Sequence, residues 1–200
     1  MSEPEIELNP PYASMLDFYR DVERNLTVVL DSYAAEGMAP TCQKGCDACC
    51  HQMVMTTMAE ARAAARWIRE QSPEEQERLM QSLEQWLAAS ADLRRRLQEG
   101  ADEDLEALVD GLATEYWAQR IPCPFLKGGA CSIYEARPLI CRHHFSLSDP
   151  ELCRTGEEDI IERMETMDEV FFFAQDAIPE EEAEIGMFPE LVLLAVRELD

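Results

Sequence analysis

Positive charge is scarce in this 200-residue chain: 17 Lys and Arg stand against 41 Asp and Glu, for a formal net charge of -24. Such a field repels phosphate backbones and anionic lipid head groups, which excludes general nucleic-acid binding. Long apolar runs are missing as well. No stretch approaches the roughly 18 residues of a membrane-spanning helix, so no membrane partner is expected. The first residues, MSEPEIELNP, carry neither a basic n-region nor an apolar h-region, and the expected location is the cytoplasm. There is no GxGxxG nucleotide loop, no HExxH pair and no GxSxG elbow, so nothing in the sequence assigns a catalytic residue.

Core-forming material is plentiful. The chain is 46% hydrophobic and includes three Trp, five Tyr and seven Phe, although its mean hydropathy is -0.29. That is too apolar for a disordered chain, and 200 residues suit one domain burying roughly 70% of its unfolded surface. The expectation is a single, mainly α domain over residues 1–200.

The periodicity locates the helices. After a polar arm over residues 1–11, Leu16, Tyr19, Leu26, Val29, Leu30 and Tyr33 recur at helical spacing from Tyr12 to Ala35, ending near Gly37. Thr57 and Glu60 form a capping-box pattern ahead of an Ala/Arg-rich run. Ser72, Pro73 and Glu75 repeat the start signal before one long helix through Leu79, Leu83, Trp86, Leu93 and Leu97 to Gly100. Asp102 is positioned to cap the next, through Leu105, Leu112, Tyr116 and Trp117. Further helices are expected over Glu157–Gln175 and Pro189–Leu199, in an acidic tail (151–200) whose sixteen acids and three bases leave it at -13. Between these helices, Pro122, Pro124, Gly128, Gly129, Pro138 and Pro150 break any helical pattern from Ile121 to Pro150. An irregular segment of that length inside a helical protein needs something other than a core to hold it.

Eight cysteines supply the candidate. A dense thiol cluster in a reducing compartment points to metal rather than to disulfides. The first block, residues 41–51, holds Cys42, Cys46, Cys49 and Cys50 in a C-x3-C-x2-C-C string. If helical, these positions fall within about 100° of one face. One helix cannot surround an ion, so the second block, residues 121–145, must bring Cys123, Cys131 and Cys141 to complete the site. Its prolines and glycines supply the turns, and the N–H groups directed at sulfur, that a metal-wrapping loop requires. Cys49 and Cys50 are adjacent and seldom bind one ion together, so either one is spare, or there are two centres or one polynuclear cluster. A vicinal disulfide would be strained.

The remaining groups weigh less. Cys153 lies outside both blocks and reads as core, bystander or ligand, and its replacement by Ser is expected to do little. His51 reads as surface or as support for a ligand, and His143 and His144 as satisfied loop histidines or ligands. Residues 120–145 carry four bases, Arg120, Lys127, Arg137 and Arg142, against the single acid Glu135, so this block is positive within an acidic protein. Tyr134 to Arg137 fit one helical turn stopped by Pro138, which places Arg137 and Arg142 near the thiols of Cys131 and Cys141. Four thiolates on Zn2+ leave a charge of -2 that guanidinium groups would offset. The competing reading of Arg137 is an ion pair with Glu135 or with the acidic tail.

The motifs from Cys42 to Cys50, Cys123 to Leu126 and Cys131 to Arg142, including the string Tyr134, Glu135, Arg137, Pro138, resemble the YkgJ-like cysteine-cluster family of zinc- or iron-chelating domains. The resemblance implies a metal-binding protein holding zinc, iron or an iron-sulfur cluster. Flagellin lysine methylases carry related cysteine patterns. Three functions are therefore carried forward: a metal-binding protein without catalysis, an iron-sulfur enzyme acting on a protein substrate, and an acidic interaction protein that binds a basic partner and holds a structural zinc. All-thiolate sites suit both zinc and iron-sulfur clusters. The number of cysteines and the irregular C-x7-C-x9-C spacing favour iron-sulfur slightly.

Overall fold

The computed structural model describes residues 8–9, 12–100, 104–155, 178 and 183–199. Ser14 starts α1 (Met15–Ala35) by accepting from the Asp17 N–H, and Gly37, at φ +82, closes it as expected. Most of the expected N-terminal arm lies outside the described residues. Its Asn9 N–H, with the Tyr12 hydroxyl, donates to buried Asp21 on α1 at 2.8 and 2.6 Å.

Thr57 and Glu60 form the full capping box of α2 (Met58–Arg69). Alanines dominate this helix and are buried on more than one side, which lets neighbouring backbones approach closely. Ser72 and Pro73 start α3 (Pro73–Ala89). The expected long helix divides here: Ser90 ends α3 and begins α4 (Ala91–Glu99). Its hydroxyl donates back to the Trp86 carbonyl at 2.8 Å, a local bond that competes with the helix ladder. Asp104, two residues beyond the expected cap, starts α5 (Leu105–Gln119), while Asp102 lies outside the described residues. The expected 157–175 helix lies outside them as well. The final helix, α8 (Phe188–Glu198), agrees with the periodicity.

Two short antiparallel ribbons were not legible in the pattern. Strand β1 (Met55–Thr57) pairs with β4 (Ile185–Met187), with Thr56 opposite Gly186, and so fastens α8 against α2. A Cβ on Gly186 would sit 3.0 Å from the Leu191 side chain, so the strand and α8 approach as closely as glycine permits. Strands β2 (Leu126–Lys127) and β3 (Ala130–Cys131) form a hairpin turning at Gly128 and Gly129, both at positive φ.

The architecture is mainly α, as expected. Helices α2, α3 and α8 bury one cluster that includes Ala61, Ile68, Leu79, Leu83 and Val192, and α1 buries a second around Tyr19, Leu26 and Val29. Trp86, Leu93, Leu112 and Tyr116 form a third, in which the Trp86 indole donates to the Tyr116 hydroxyl at 2.7 Å. The irregular segment departs from expectation in one respect, because the core does hold it. Phe125, Ile133 and Ala136 enter the first cluster, Leu139 the second and Ile121 the third.

Candidate metal centre

The first cysteine block is not the thiol-lined helix considered from its spacing. Cys42 and Cys46 lie in irregular chain, and only Ala48–His51 forms a single 3-10 turn carrying Cys49 and Cys50. Gly45 adopts φ +99, a break that a continuous helix does not tolerate. The four thiols therefore spread along a bend rather than along one helical face.

The second block forms the hairpin β2–β3, a 3-10 turn (Tyr134–Ala136) that stops at Pro138 as predicted, and the short helix α6 (Leu139–His143). Its cysteines alternate with buried apolar residues: Ile121 and Phe125 flank Cys123, Ile133 follows Cys131, and Leu139 precedes Cys141. Burying the apolar partner presents each neighbouring sulfur at the edge of the core, and all eight cysteines are half-buried and free.

Backbone bonds join the two blocks. The Cys123 N–H donates to the Cys50 carbonyl at 2.7 Å, and Gly129 at the hairpin tip packs against Gly45. At the other end, the Thr41 N–H donates to the Ser146 carbonyl at 2.9 Å, and the Ser146 N–H returns a bond to Cys42 Sγ at 3.3 Å.

Burial dominates the electrostatics. It pushes the Cys123 thiol up to about 12 and the Cys141 thiol well above its ordinary range, and the charges of neighbouring sulfurs add to both shifts. Cys131 is raised for the same first reason. Opposing this, the backbone N–H groups of Phe125 and Leu126 favour the thiolate at Cys123, as that of Ile133 does at Cys131. Cys49 moves the other way, down to about 7, chiefly because the Cys50 thiol donates a hydrogen bond to it. Cys50 is raised as the donor of that bond. Crowded, half-buried sulfurs of this kind ionise together when a cation balances them.

Arg137 and Arg142 perform different tasks. Arg142, 1% exposed, stacks over the Tyr19 ring at 4.1 Å and donates to the carbonyls of Arg137 (2.9 Å) and Glu135 (2.6 Å) and to Glu23 on α1. It fastens the Cys131–Cys141 loop to α1. Arg137 stacks on Tyr134 at 3.8 Å and stands 3.8 Å from Glu23. Among the described residues its acidic partner is thus Glu23 rather than Glu135, which instead accepts from the Trp67 indole at 3.3 Å, and most of the tail weighed as the other partner lies outside the described residues. The positive charge of Arg137 acts on Cys49, Cys131 and Cys141, and its buried Nε has no hydrogen-bond partner among the described residues. A half-buried guanidinium whose charge reaches three of the cysteines fits a site that gathers thiolates.

Glu60 is the residue the sequence reading left as a mere helix cap. Its buried carboxylate accepts from the Tyr19 hydroxyl at 3.2 Å, from Thr56, and from the Leu139 N–H at 2.6 Å, so it also sets the start of the helix that carries Cys141. Only the cap was visible in the motif. His51 and His143 place Nδ1 3.3 and 3.2 Å from the carbonyls of Asp47 and Leu139. Among the described residues, no three Cys, His, Asp or Glu side chains already stand in an arrangement that grips one ion, and no helix is long and apolar enough to cross a membrane.

A family model described as CxxCxxCC, putative zinc- or iron-chelating domain, matches residues 41–169, more than half of the chain and a span containing all eight cysteines. No curated protein and no solved structure matches the chain.

Proposed function

Since the chain belongs to the CxxCxxCC family of zinc- or iron-chelating domains, we propose that it binds a thiophilic metal through Cys49, Cys50, Cys123, Cys131 and Cys141, with iron in an iron-sulfur cluster favoured over zinc. The observation that carries this reading is the 2.7 Å bond from the Cys123 N–H to the Cys50 carbonyl, which brings the cysteine-bearing ends of the two blocks side by side. Five thiols in this group exceed the four of a structural zinc site and leave one spare or bridging. Cys42 and Cys46, also expected as ligands, lie on the other arm of the first block.

Bound metal would cross-link the two blocks and supply a positive centre for the thiolates. The protein's own residues prepare for it. Arg137 offsets thiolate charge, the N–H groups of Phe125, Leu126 and Ile133 favour sulfur in its ionised form, and Arg142 and Glu60 hold the loop and α6 in place. A chelating role needs nothing more, and no observation favours a particular reaction.

The test is iron, zinc and acid-labile sulfide per chain, with an absorption spectrum, on protein purified without oxygen. Stoichiometric iron and sulfide with a brown chromophore is the expected result. Colourless protein holding zinc would retain the thiolate site and replace the metal. Protein free of metal, with every thiol free, would overturn the reading.

A further inference from the structure

Helix α7 (Pro150–Thr155) lies against the 3-10 turn that carries Cys49 and Cys50, yet none of its six residues is buried. Polar bonds hold it instead. Near its end, Arg154 pairs at 3.2 Å with Asp47, the residue before that turn, and the Arg120 guanidinium donates to the Arg154 carbonyl. Ahead of its start, the Thr41 N–H donates to the Ser146 carbonyl at 2.9 Å and the Thr41 hydroxyl to that of Ser148. A cavity of 340 Å³ separates α7 from the other arm of the first block, with Gly45 and Cys46 on one side and Pro150 and Glu151 on the other. Arg120 carries a second signal. Among the described residues it is the non-glycine at positive φ, +53, and it ends α5 in the left-handed conformation that glycine adopts most easily. Backbone strain of this kind persists where the side chain has a task. Here the guanidinium stacks on Trp117 at 4.1 Å and reaches α7 from there.

We propose that α7 is a strap over Cys49 and Cys50, latched by Arg154 and Arg120, whose release opens the first block to solutes while the second block stays closed. An element with little buried surface, held by exposed polar bonds, opens at low free energy. The members of the Arg154–Asp47 pair are 43% and 30% exposed, so salt screens that latch. The second block does not follow, because Ile133 and Leu139, each two residues from a cysteine, are sunk in the core. The strap's role in metal entry and exit at these two thiols rests on the metal-binding reading above, whereas the opening itself is a property of the chain alone.

The experiment uses the full chain, reduced and stripped of metal, and follows alkylation of each cysteine by iodoacetamide, normalised to the same thiol in the urea-unfolded chain. R154A removes one latch. R120G removes the other and suits the left-handed backbone, so it keeps α5 capped and separates the task of the guanidinium from folding. Exposed polar pairs change an equilibrium by up to about fivefold, and the expected result is labelling of Cys49 and Cys50 about threefold faster in each variant. Wild-type labelling of the same two thiols should quicken at high salt, with Cys141 unchanged throughout and melting temperatures near that of wild type. Labelling of Cys49 and Cys50 that is unchanged in either variant or with salt, or that rises equally at Cys141, would overturn the strap. Because no metal is present, neither result bears on the proposed function, which metal content per chain decides separately.

Discussion

The two cysteine-bearing regions are secured in opposite ways. Between Ile121 and Arg142 nearly every thiol neighbours a residue sunk in the core, and Ile133 and Leu139 are at most 1% exposed. In the 41–51 block only Ala48 is buried, and that block is joined to the chain leading into α7 by the Thr41–Ser146 backbone bond and to α7 itself by an ion pair whose members are 43% and 30% exposed. The comparison teaches that one thiol group is prearranged by packing and the other by its connections. The packed loop should hold its sulfurs in a fixed geometry, whereas the tethered block should yield more readily to local opening.

The most damaging way to break this contrast is C141S or C123S. Each should remove the metal of the packed group and cost more than about 4 kcal/mol, the range reached when a structural metal is lost. Denaturant unfolding with parallel metal analysis checks it. Next is R142L, which strips the buried side chain bridging Glu23 to the carbonyls of Glu135 and Arg137 and should cost about 3 kcal/mol. I133A should cost about 3 kcal/mol through the cavity it leaves, a value that equilibrium unfolding of the metal-free chain would isolate from ligation. G186A presses a Cβ onto Leu191 and should cost about 1 kcal/mol, read as a small drop in melting temperature. R154A is the mildest. Removing a partly exposed ion pair should leave the melting temperature nearly unchanged.

The sequence revealed much of this frame, and the reasons are physical. Caps at Thr57 and Ser72 and the 3.6-residue periodicity placed α1, α2, α3, α5 and α8, since those signals are local. Ser90 escaped because the apolar spacing continues straight through it and only a side-chain-to-carbonyl bond marks the division. The β1–β4 ribbon joins segments about 130 residues apart, and no local pattern of three residues announces such a pairing. In the site, the turn from Tyr134 to Pro138 and the closeness of Arg137 to thiols were legible from residue types. Glu23 as the acidic partner was not, because it lies on α1, far along the chain. The core's grip on the 121–145 loop was hidden because Ile121, Phe125, Ile133 and Leu139 follow neither a helical nor a strand period, yet each reaches a cluster built by the helices.

X-ray absorption at the edge of the metal that copurifies with the full chain tests the central claim most directly. The account predicts a nearest shell dominated by sulfur at about 2.3 Å, which collapses in C123S. A shell of oxygen and nitrogen, unchanged by that substitution, would contradict it.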